Sequence, residues 1–169
     1  MDPVVELAKN SIESYIKYGK KIQTPDKLEF QKPSGVFVSI HNKDGSLRGC
    51  IGTFLATKDS LGEEIINNTI AAATEDPRFP SISESELDNL KISVDILSEP
   101  FPIKNRSELD PKKYGVIVKG DFGKSGLLLP DLEGVDTIEE QLKIACQKAG
   151  IDYNKENYQI LAFTVERHE

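Results

Sequence analysis

The amino-acid sequence predicts an α+β fold with a mostly antiparallel sheet and flanking helices. Leu90–Leu97 alternates apolar and polar side chains, as expected of a strand with one buried face. Asp44 and Gly45 separate two strand-like segments, and Asp-Gly is a preferred pair for tight hairpin turns. Apolar residues recur at three-to-four spacing within Pro3–Tyr18 and Ile138–Ala149, which predicts two amphipathic helices.

The first half of the chain predicts a helix, a hairpin, a second helix and a strand. Asp2 can cap the first helix at its start, and Gly19 is a suitable residue to end it. Asp76 and Pro77 end the second helix, because a residue that precedes proline disfavours helical backbone. In chain order the predicted elements are helix 3–18, strand 35–40, strand 47–54, helix 63–75 and strand 90–97.

The second half predicts the same order of elements: strand 115–118, strand 124–129, helix 138–149 and strand 158–165. We infer a degenerate internal duplication of this strand–hairpin–helix–strand plan, which would build two lobes. Two ordinary hairpins that look alike are an equal alternative, because glycine and aliphatic residues are common in such segments. Gly49 and Gly126 occupy matching places, and a glycine within a strand marks a bulge or a close approach of backbones.

Length, charge and cysteine content argue against several classes of function. The chain has 169 residues, enough for a stable core without a disulfide or a metal. Its net charge is −7 and it has no basic run, so nucleic-acid binding is disfavoured. No apolar stretch approaches the ~18 residues of a membrane span and no signal peptide is recognisable, so we expect a cytoplasmic protein with free thiols. Two cysteines and two histidines lack metal-cluster spacing, and we expect no metal or cofactor.

The segment Arg48-Gly49-Cys50 is the leading candidate site. The residues that flank the matching glycine in the second half are Ser125 and Leu127, so a guanidinium and a thiol accompany this glycine only in the first half. A purely structural requirement would be expected to place the same residues in both halves. The asymmetry therefore favours a function for the first segment.

Arg48 and Cys50 each have two interpretations. On a regular strand they share one face, where the cation could stabilise a nucleophilic thiolate, although a bulge at the glycine would spoil that geometry. Cys50 could instead be a small buried hydrophobic residue. Arg48 could clamp a carboxylate or phosphate, or form a structural ion pair with Asp76 or Glu75.

A second candidate segment is Asp76-Pro77-Arg78-Phe79-Pro80, whose two prolines restrict the backbone. It could present Asp76 and Arg78 to a pocket, or simply end a helix with Phe79 in the core. His41 lies across the hairpin from residues 48–50, so the geometry allows a Cys–His pair, and an exposed strand-end histidine is the alternative. His168 is one residue from the end of the sequence and is expected to fray.

Together these segments resemble the AMMECR family, whose microbial members are called AmmeMemoRadiSam system protein A. The resemblance begins with Gly35-Val36-Phe37-Val38 and the segment 45–52, Gly-Ser-Leu-Arg-Gly-Cys-Ile-Gly. It covers nearly the whole chain from that point. The later blocks are Asp76-Pro77-Arg78-Phe79-Pro80, Ser98-Glu99-Pro100 with Pro102-Ile103, Ser125-Gly126-Leu127-Leu128-Leu129-Pro130, and Cys146-Gln147-Lys148-Ala149-Gly150.

The resemblance implies a single domain over residues 1–169, with a larger lobe of about 1–40 and 90–169 and a smaller inserted lobe of about 41–89. It implies a cleft near Arg48-Gly49-Cys50, and a Memo-like protein and a radical S-adenosylmethionine enzyme as partners. We expect a non-catalytic binding or accessory module in which Arg48, Gly49, Asp76 and Arg78 hold a small anionic ligand or a partner's carboxylate. The alternative is a small-molecule enzyme with Cys50 as nucleophile or redox thiol, for which the sequence offers no dedicated general base.

Overall fold

A computed structural model describes all residues, Met1–Glu169, and confirms the α+β fold. The chain divides into two compact units. The first unit comprises Met1–Leu97 with Glu166–Glu169, and the second unit comprises Ser98–Val165. These boundaries differ from the lobe boundaries expected near residues 40 and 90. Each unit is described by itself below.

The chain forms three α-helices and eight strands. The helices are α1 (Pro3–Tyr18), α2 (Leu61–Thr74) and α3 (Ile138–Ala149). The strands are β1 (Gly35–Asn42), β2 (Leu47–Thr53), β3 (Leu90–Leu97), β4 (Phe101–Pro102), β5 (Gly115–Lys119), β6 (Ser125–Leu128), β7 (Gln159–Phe163) and β8 (Val165–His168). No helix is both long enough and apolar enough to cross a membrane.

The predicted helices and strands are all present, and their ends follow local hydrogen bonds. The Asp2 carboxylate accepts from the amide of Val4 at 2.8 Å and caps α1, which ends at Gly19 with a positive φ of 63°. The Ser60 hydroxyl accepts from the amide of Glu63 at 3.2 Å, so α2 begins two residues before its predicted start. The predicted strand 158–165 is interrupted between β7 and β8, and the two-residue β4 was not predicted.

The first unit is a four-stranded sheet in the order β2-β1-β3-β8, covered on one face by α1 and α2. β1 pairs antiparallel with both β2 and β3. Its alternate residues Val36, Val38 and Ile40 are fully buried against the two helices. The other face of the sheet carries Ser39 of β1 and its partner across the hairpin, Cys50 of β2.

The second unit is a four-stranded sheet in the order β4-β7-β5-β6, with α3 packed against β5 and β6. Val116 and Val118 of β5 are fully buried in a core that also contains Leu142, Ala145 and Cys146 of α3. β5 pairs antiparallel with β6 on one side and with β7 on the other. The order β6-β5-β7 therefore repeats the order β2-β1-β3 of the first unit.

The matching glycines have the same packing role in the two units. A Cβ atom added to Gly49 would overlap the main-chain oxygen of Ala72 in α2. A Cβ atom added to Gly126 would overlap the main-chain oxygen of Ala145 in α3. Each glycine allows the helix to approach the edge strand of its sheet closely. This is the close approach of backbones expected for a glycine within a strand.

Candidate functional site

The buried carboxylate of Asp76 connects the segment after α2 to strand β2. Its Oδ2 accepts a hydrogen bond from the main-chain amide of Cys50 at 3.0 Å. The same oxygen accepts from Arg78 Nη2 at 2.8 Å, and Oδ1 accepts from Arg78 Nε at 3.1 Å and from the Arg78 amide at 3.0 Å. β2 lies at the edge of its sheet, so Asp76 satisfies a strand donor that no neighbouring strand can reach.

These hydrogen bonds determine the ionisation of Asp76. The guanidinium of Arg78, followed by the amides of Arg78 and Cys50, holds the pKa of Asp76 well below its usual range and outweighs the opposing effect of burial. Asp76 is therefore a carboxylate with its lone pairs occupied. It orients Arg78 and β2, and it is not placed to act as a free base.

Arg78 presents a cation that Asp76 holds near the main chain of Cys50. Its side chain is 57% exposed, although its fork is held by Asp76, and its guanidinium carbon lies 5.5 Å from the centre of the Phe79 ring. The pKa of Arg78 is raised, chiefly by its hydrogen bond to Asp76. Asp76 thus connects this cation, contributed by the proline-containing loop, to the main-chain amide of Cys50.

Cys50 is half-buried on the sheet face that points away from the helices. Its Sγ lies 3.4 Å from Ser39 Oγ, the hydroxyl directly opposite on β1. Both cysteines of the chain are free thiols, and Cys146 is fully buried in the second unit. Burial raises the pKa of the Cys146 thiol. Cys50 is therefore the more accessible of the two sulfurs.

Arg48 lies in an irregular part of β2 and is buried. Ile40 of β1 pairs with Gly49, but the next residue, His41, pairs with Leu47, so Arg48 is the extra residue of a β-bulge. The regular alternation that would place Arg48 beside Cys50 is interrupted at this point. Only 8% of Arg48 is exposed, which does not suit a residue that has to clamp a ligand.

The partner of Arg48 is Glu86, and the ion pair with Asp76 or Glu75 considered from the sequence is wrong. Arg48 Nε lies 2.8 Å from Glu86 Oε1, and Nη2 lies 3.2 Å from Oε2. Glu86 also accepts from the Ser83 amide at 2.8 Å, as part of a capping box on the short 3₁₀ helix Glu84–Asn89. Arg48, together with Ser83, lowers the pKa of Glu86 to about 2. The remaining nitrogen, Nη1, is buried without a partner.

The two histidines lie in different surroundings. His41 is opposite Leu47 and makes no hydrogen bond with Cys50, so the Cys–His pair allowed by hairpin counting does not form. His168 was expected to fray, but it lies in β8 with Nδ1 2.7 Å from Asp2 Oδ2 and Nε2 2.9 Å from Glu166 Oε1. The expectation for His168 was wrong because it ignored Asp2, a partner 166 positions away in the sequence.

Sequence reasoning also missed a buried carboxylate, Glu64 of α2. Glu64 is fully buried and accepts hydrogen bonds from the Thr53 hydroxyl, from the amide and hydroxyl of Thr57, and from the amide of Lys58. These contacts fasten the loop between β2 and α2 to the start of the helix. The Ser83-x-x-Glu86 pattern was readable as a capping box, but nothing local distinguishes Glu64 from an exposed glutamate. No group of three or more His, Cys, Asp or Glu side chains is arranged to hold a metal ion.

Comparison with known proteins gives consistent results over the whole chain. The family model described as AMMECR1 matches residues 5–168. The chain is 55% identical to a protein of Thermotoga maritima, over 99% of this chain and 97% of that one. It is 49% identical to Protein CA_C1420 of Clostridium acetobutylicum, where the match covers 99% of this chain but only 36% of the longer relative. The crystal structure of the uncharacterized protein PH0010 from Pyrococcus horikoshii has a similar fold, with a TM-score of 0.87 at 34% identity over 97% of this chain and 88% of that chain.

Proposed function

Because the chain belongs to the AMMECR1 family, we propose that it is a non-catalytic binding or accessory module that holds an anionic group at Arg78 beside Cys50. The bound group is a small anionic ligand or a carboxylate of a partner protein. The proposal keeps the segment around Gly49 and Cys50 as the site. It moves the anion-binding role from Arg48, whose guanidinium is occupied by Glu86, to Arg78.

The observation that carries the proposal is the way Asp76 holds Arg78. Asp76 engages Nε and Nη2 of the guanidinium, and its own position is fixed by the amide of Cys50. A guanidinium has five N–H donors, so three are left for a ligand after the two that Asp76 takes. A half-exposed cation whose orientation is fixed in advance suits bidentate recognition of a carboxylate or phosphate.

An accessory role is supported by the longer relative from Clostridium acetobutylicum, in which the equivalent of almost the whole chain forms 36% of a larger polypeptide. A domain that occurs joined to further sequence in one organism can work with a separate partner in another. The family resemblance implies a Memo-like protein and a radical S-adenosylmethionine enzyme as those partners. We include them in the proposal as the proteins whose carboxylates Arg78 would engage.

Succinate, a small dicarboxylate, provides a direct test of anion binding. In a titration followed by two-dimensional NMR, we expect the amides of Cys50 and Arg78 to shift. Arg78→Lys, which keeps the charge but loses the planar fork, should weaken binding about fivefold or more. Arg106→Lys is the matched control, because Arg106 is an exposed arginine in the second unit. Equal weakening in both variants, or no shift near Arg78, would contradict the proposal.

Binding of protein partners needs a separate experiment. The purified chain is mixed with the Memo-like protein and the radical S-adenosylmethionine enzyme of the same organism and analysed by size-exclusion chromatography. We expect co-elution that Arg78→Ala abolishes and Cys50→Ser preserves. Loss of the complex with Cys50→Ser alone would favour a role for the thiol, and the absence of any complex would remove the partner part of the proposal.

The alternative function, an enzyme that uses Cys50 as nucleophile or redox thiol, is favoured by the cation of Arg78, which Asp76 links to the main-chain amide of Cys50. If Arg78 activates this thiol, iodoacetamide should alkylate Cys50 at pH 7 faster than it alkylates free glutathione, and Arg78→Ala should remove the difference. Buried Cys146 is the internal control in the same mass-spectrometric experiment. A Cys50 that reacts no faster than glutathione would rule out the activated nucleophile and leave the binding module.

A further inference from the structure

The first unit contains a groove of about 610 Å³ that does not include Arg48, Cys50, Asp76 or Arg78. We call it the lysine groove. It is lined by residues of α1, the hairpin end of β1 and the first half of β3. Its volume lies in the range of pockets that hold small organic molecules, about 300–1,000 Å³.

The inner surface of the lysine groove is apolar. Side chains from α1, from the 3₁₀ helix and from β3 contribute to it, namely Val5, Ile12, Leu87, Leu90 and Ile92. Leu90 and Ile92 are only partly buried by the rest of the protein, so they leave hydrocarbon surface facing the groove. Such surface gains free energy when an apolar group covers it.

The rim of the lysine groove carries three lysines, Lys9, Lys43 and Lys91. All three are exposed and none takes part in an ion pair, unlike Arg167, which also lines the groove and is held by Asp95 at 2.7 Å. The acidic side chains that line the groove are Glu13 and Glu169. In a chain with a net charge of −7, three unpaired lysines around one apolar groove form a local excess of positive charge.

From this combination we propose that the lysine groove binds a small amphipathic anion, with its hydrocarbon body on Leu90 and Ile92 and its acidic head among the lysines. Ser39 and Ser93 also line the groove, on the face of the sheet opposite to Leu90 and Ile92. The site is separate from Arg78, and its occupation does not depend on the anion proposed there.

Octanoate is the probe for this site, because it joins a flexible hydrocarbon chain to one carboxylate. Titration into the full chain, followed by NMR, should shift the amides of Ser39, Lys91 and Ser93. The triple variant Lys9→Gln, Lys43→Gln, Lys91→Gln should weaken octanoate binding about tenfold. Octanol has the same hydrocarbon chain without the charge. It should bind the wild type more weakly than octanoate does, and it should bind the triple variant as tightly as octanoate does.

A matched control separates the groove from general charge effects. Lys20, Lys21 and Lys32 are exposed lysines of the first unit that do not line the groove, and changing all three to Gln removes the same total charge. This control variant should bind octanoate like the wild type. Equal weakening in both triple variants, shifts confined to other residues, or binding of an acidic peptide but not of octanoate would overturn the proposal. Because Arg78→Lys should not change octanoate binding, failure here and failure of the Arg78 site are distinguishable.

Discussion

Strands β2 and β6 occupy the same position in their two units, at the edge of a sheet and against the helix that follows in the chain. Each strand carries a glycine whose missing side chain makes room for a helix carbonyl oxygen. The residues that flank the two glycines differ. They are Arg48 and Cys50 in β2, and Ser125 and Leu127 in β6. Helix packing therefore accounts for the glycines and does not account for the guanidinium or the thiol.

The two edges are also covered in opposite ways. In the first unit the amide of Cys50, the residue after the glycine, donates to the carboxylate of Asp76. In the second unit the carbonyl oxygen of Leu127, again the residue after the glycine, accepts from Lys148 Nζ at 2.9 Å. An acceptor side chain covers one edge and a donor side chain covers the other. Only in the first unit does the covering side chain, Asp76, also bind a half-exposed cation, Arg78.

The largest effect is expected from adding a side chain at the shared glycine. Gly49→Ala and Gly126→Ala should each lower the free energy of unfolding by about 3 kcal/mol, because a methyl group would overlap main-chain atoms that cannot move alone. Urea denaturation followed by circular dichroism measures the loss. Gly134→Ala is the control, since it meets no atom within 4 Å and costs only the strain of a positive φ, about 1 kcal/mol. A tolerated Gly126→Ala would break the equivalence of the two units.

The next effect concerns the covered edges. Asp76→Asn should destabilise the protein more than Lys148→Met, because Asp76 holds both the Cys50 amide and the Arg78 fork whereas Lys148 makes one exposed hydrogen bond. The folded pKa of Asp76 is lowered, so its contribution is present above the unfolded value of about 3.9 and is lost as the pH falls below it. Urea denaturation of both variants at several pH values measures this. Equal losses, or a wild-type advantage that grows below that pH, would contradict the account.

Exchanging the residues before the two glycines gives a smaller effect. Arg48→Ser should cost about 2 kcal/mol, because it leaves Glu86 without the cation that binds both of its oxygens. Ser125→Arg, the reverse exchange at an exposed position, should change stability by less than about 0.5 kcal/mol. Both values can be measured by thermal or urea denaturation. A neutral Arg48→Ser would mean that Arg48 is kept for something other than its ion pair.

Local signals in the sequence predicted the elements well. The caps at Asp2 and Gly19, the Asp44-Gly45 hairpin and the alternation of β3 each depend on residues close together in the chain. The equivalence of Gly49 and Gly126 was also visible, because a strand with a glycine is an unusual local pattern. These features were predictable since the interactions that form them span only a few residues.

The candidate site was predicted only in part, because its contacts join distant residues. Arg48 pairs with Glu86, 38 positions away, and the sequence offered Asp76 and Glu75 as equally reasonable partners. The bulge at Arg48 depends on pairing register, which a single strand does not reveal. Asp76 and Arg78 were predicted as candidate binding residues, but the hydrogen bonds of Asp76 to Arg78 and to the Cys50 amide became evident only from the folded chain.

The smallest expected effect concerns histidine, a residue type that the second unit lacks. Both histidines, His41 and His168, belong to the first unit. Burial alone would lower the pKa of His168, but hydrogen bonds and charge from Asp2 and then Glu166 raise it above its usual value. The imidazolium therefore adds stability that is fully present below about pH 6.5 and is lost as the pH rises through the raised folded pKa.

His168→Gln should accordingly lower stability by about 1 kcal/mol or less below pH 6.5 and by progressively less at higher pH. Hydrogen exchange measured by mass spectrometry should place this change in the first unit, where β8 and the cap of α1 meet at Asp2. His41→Gln is the matched control, because His41 is the other histidine of the first unit and should leave the protection around Asp2 unchanged. A pH-dependent loss of protection in the second unit, or a His168→Gln effect that grows as the pH rises, would show that the imidazolium does not stabilise the first unit through Asp2.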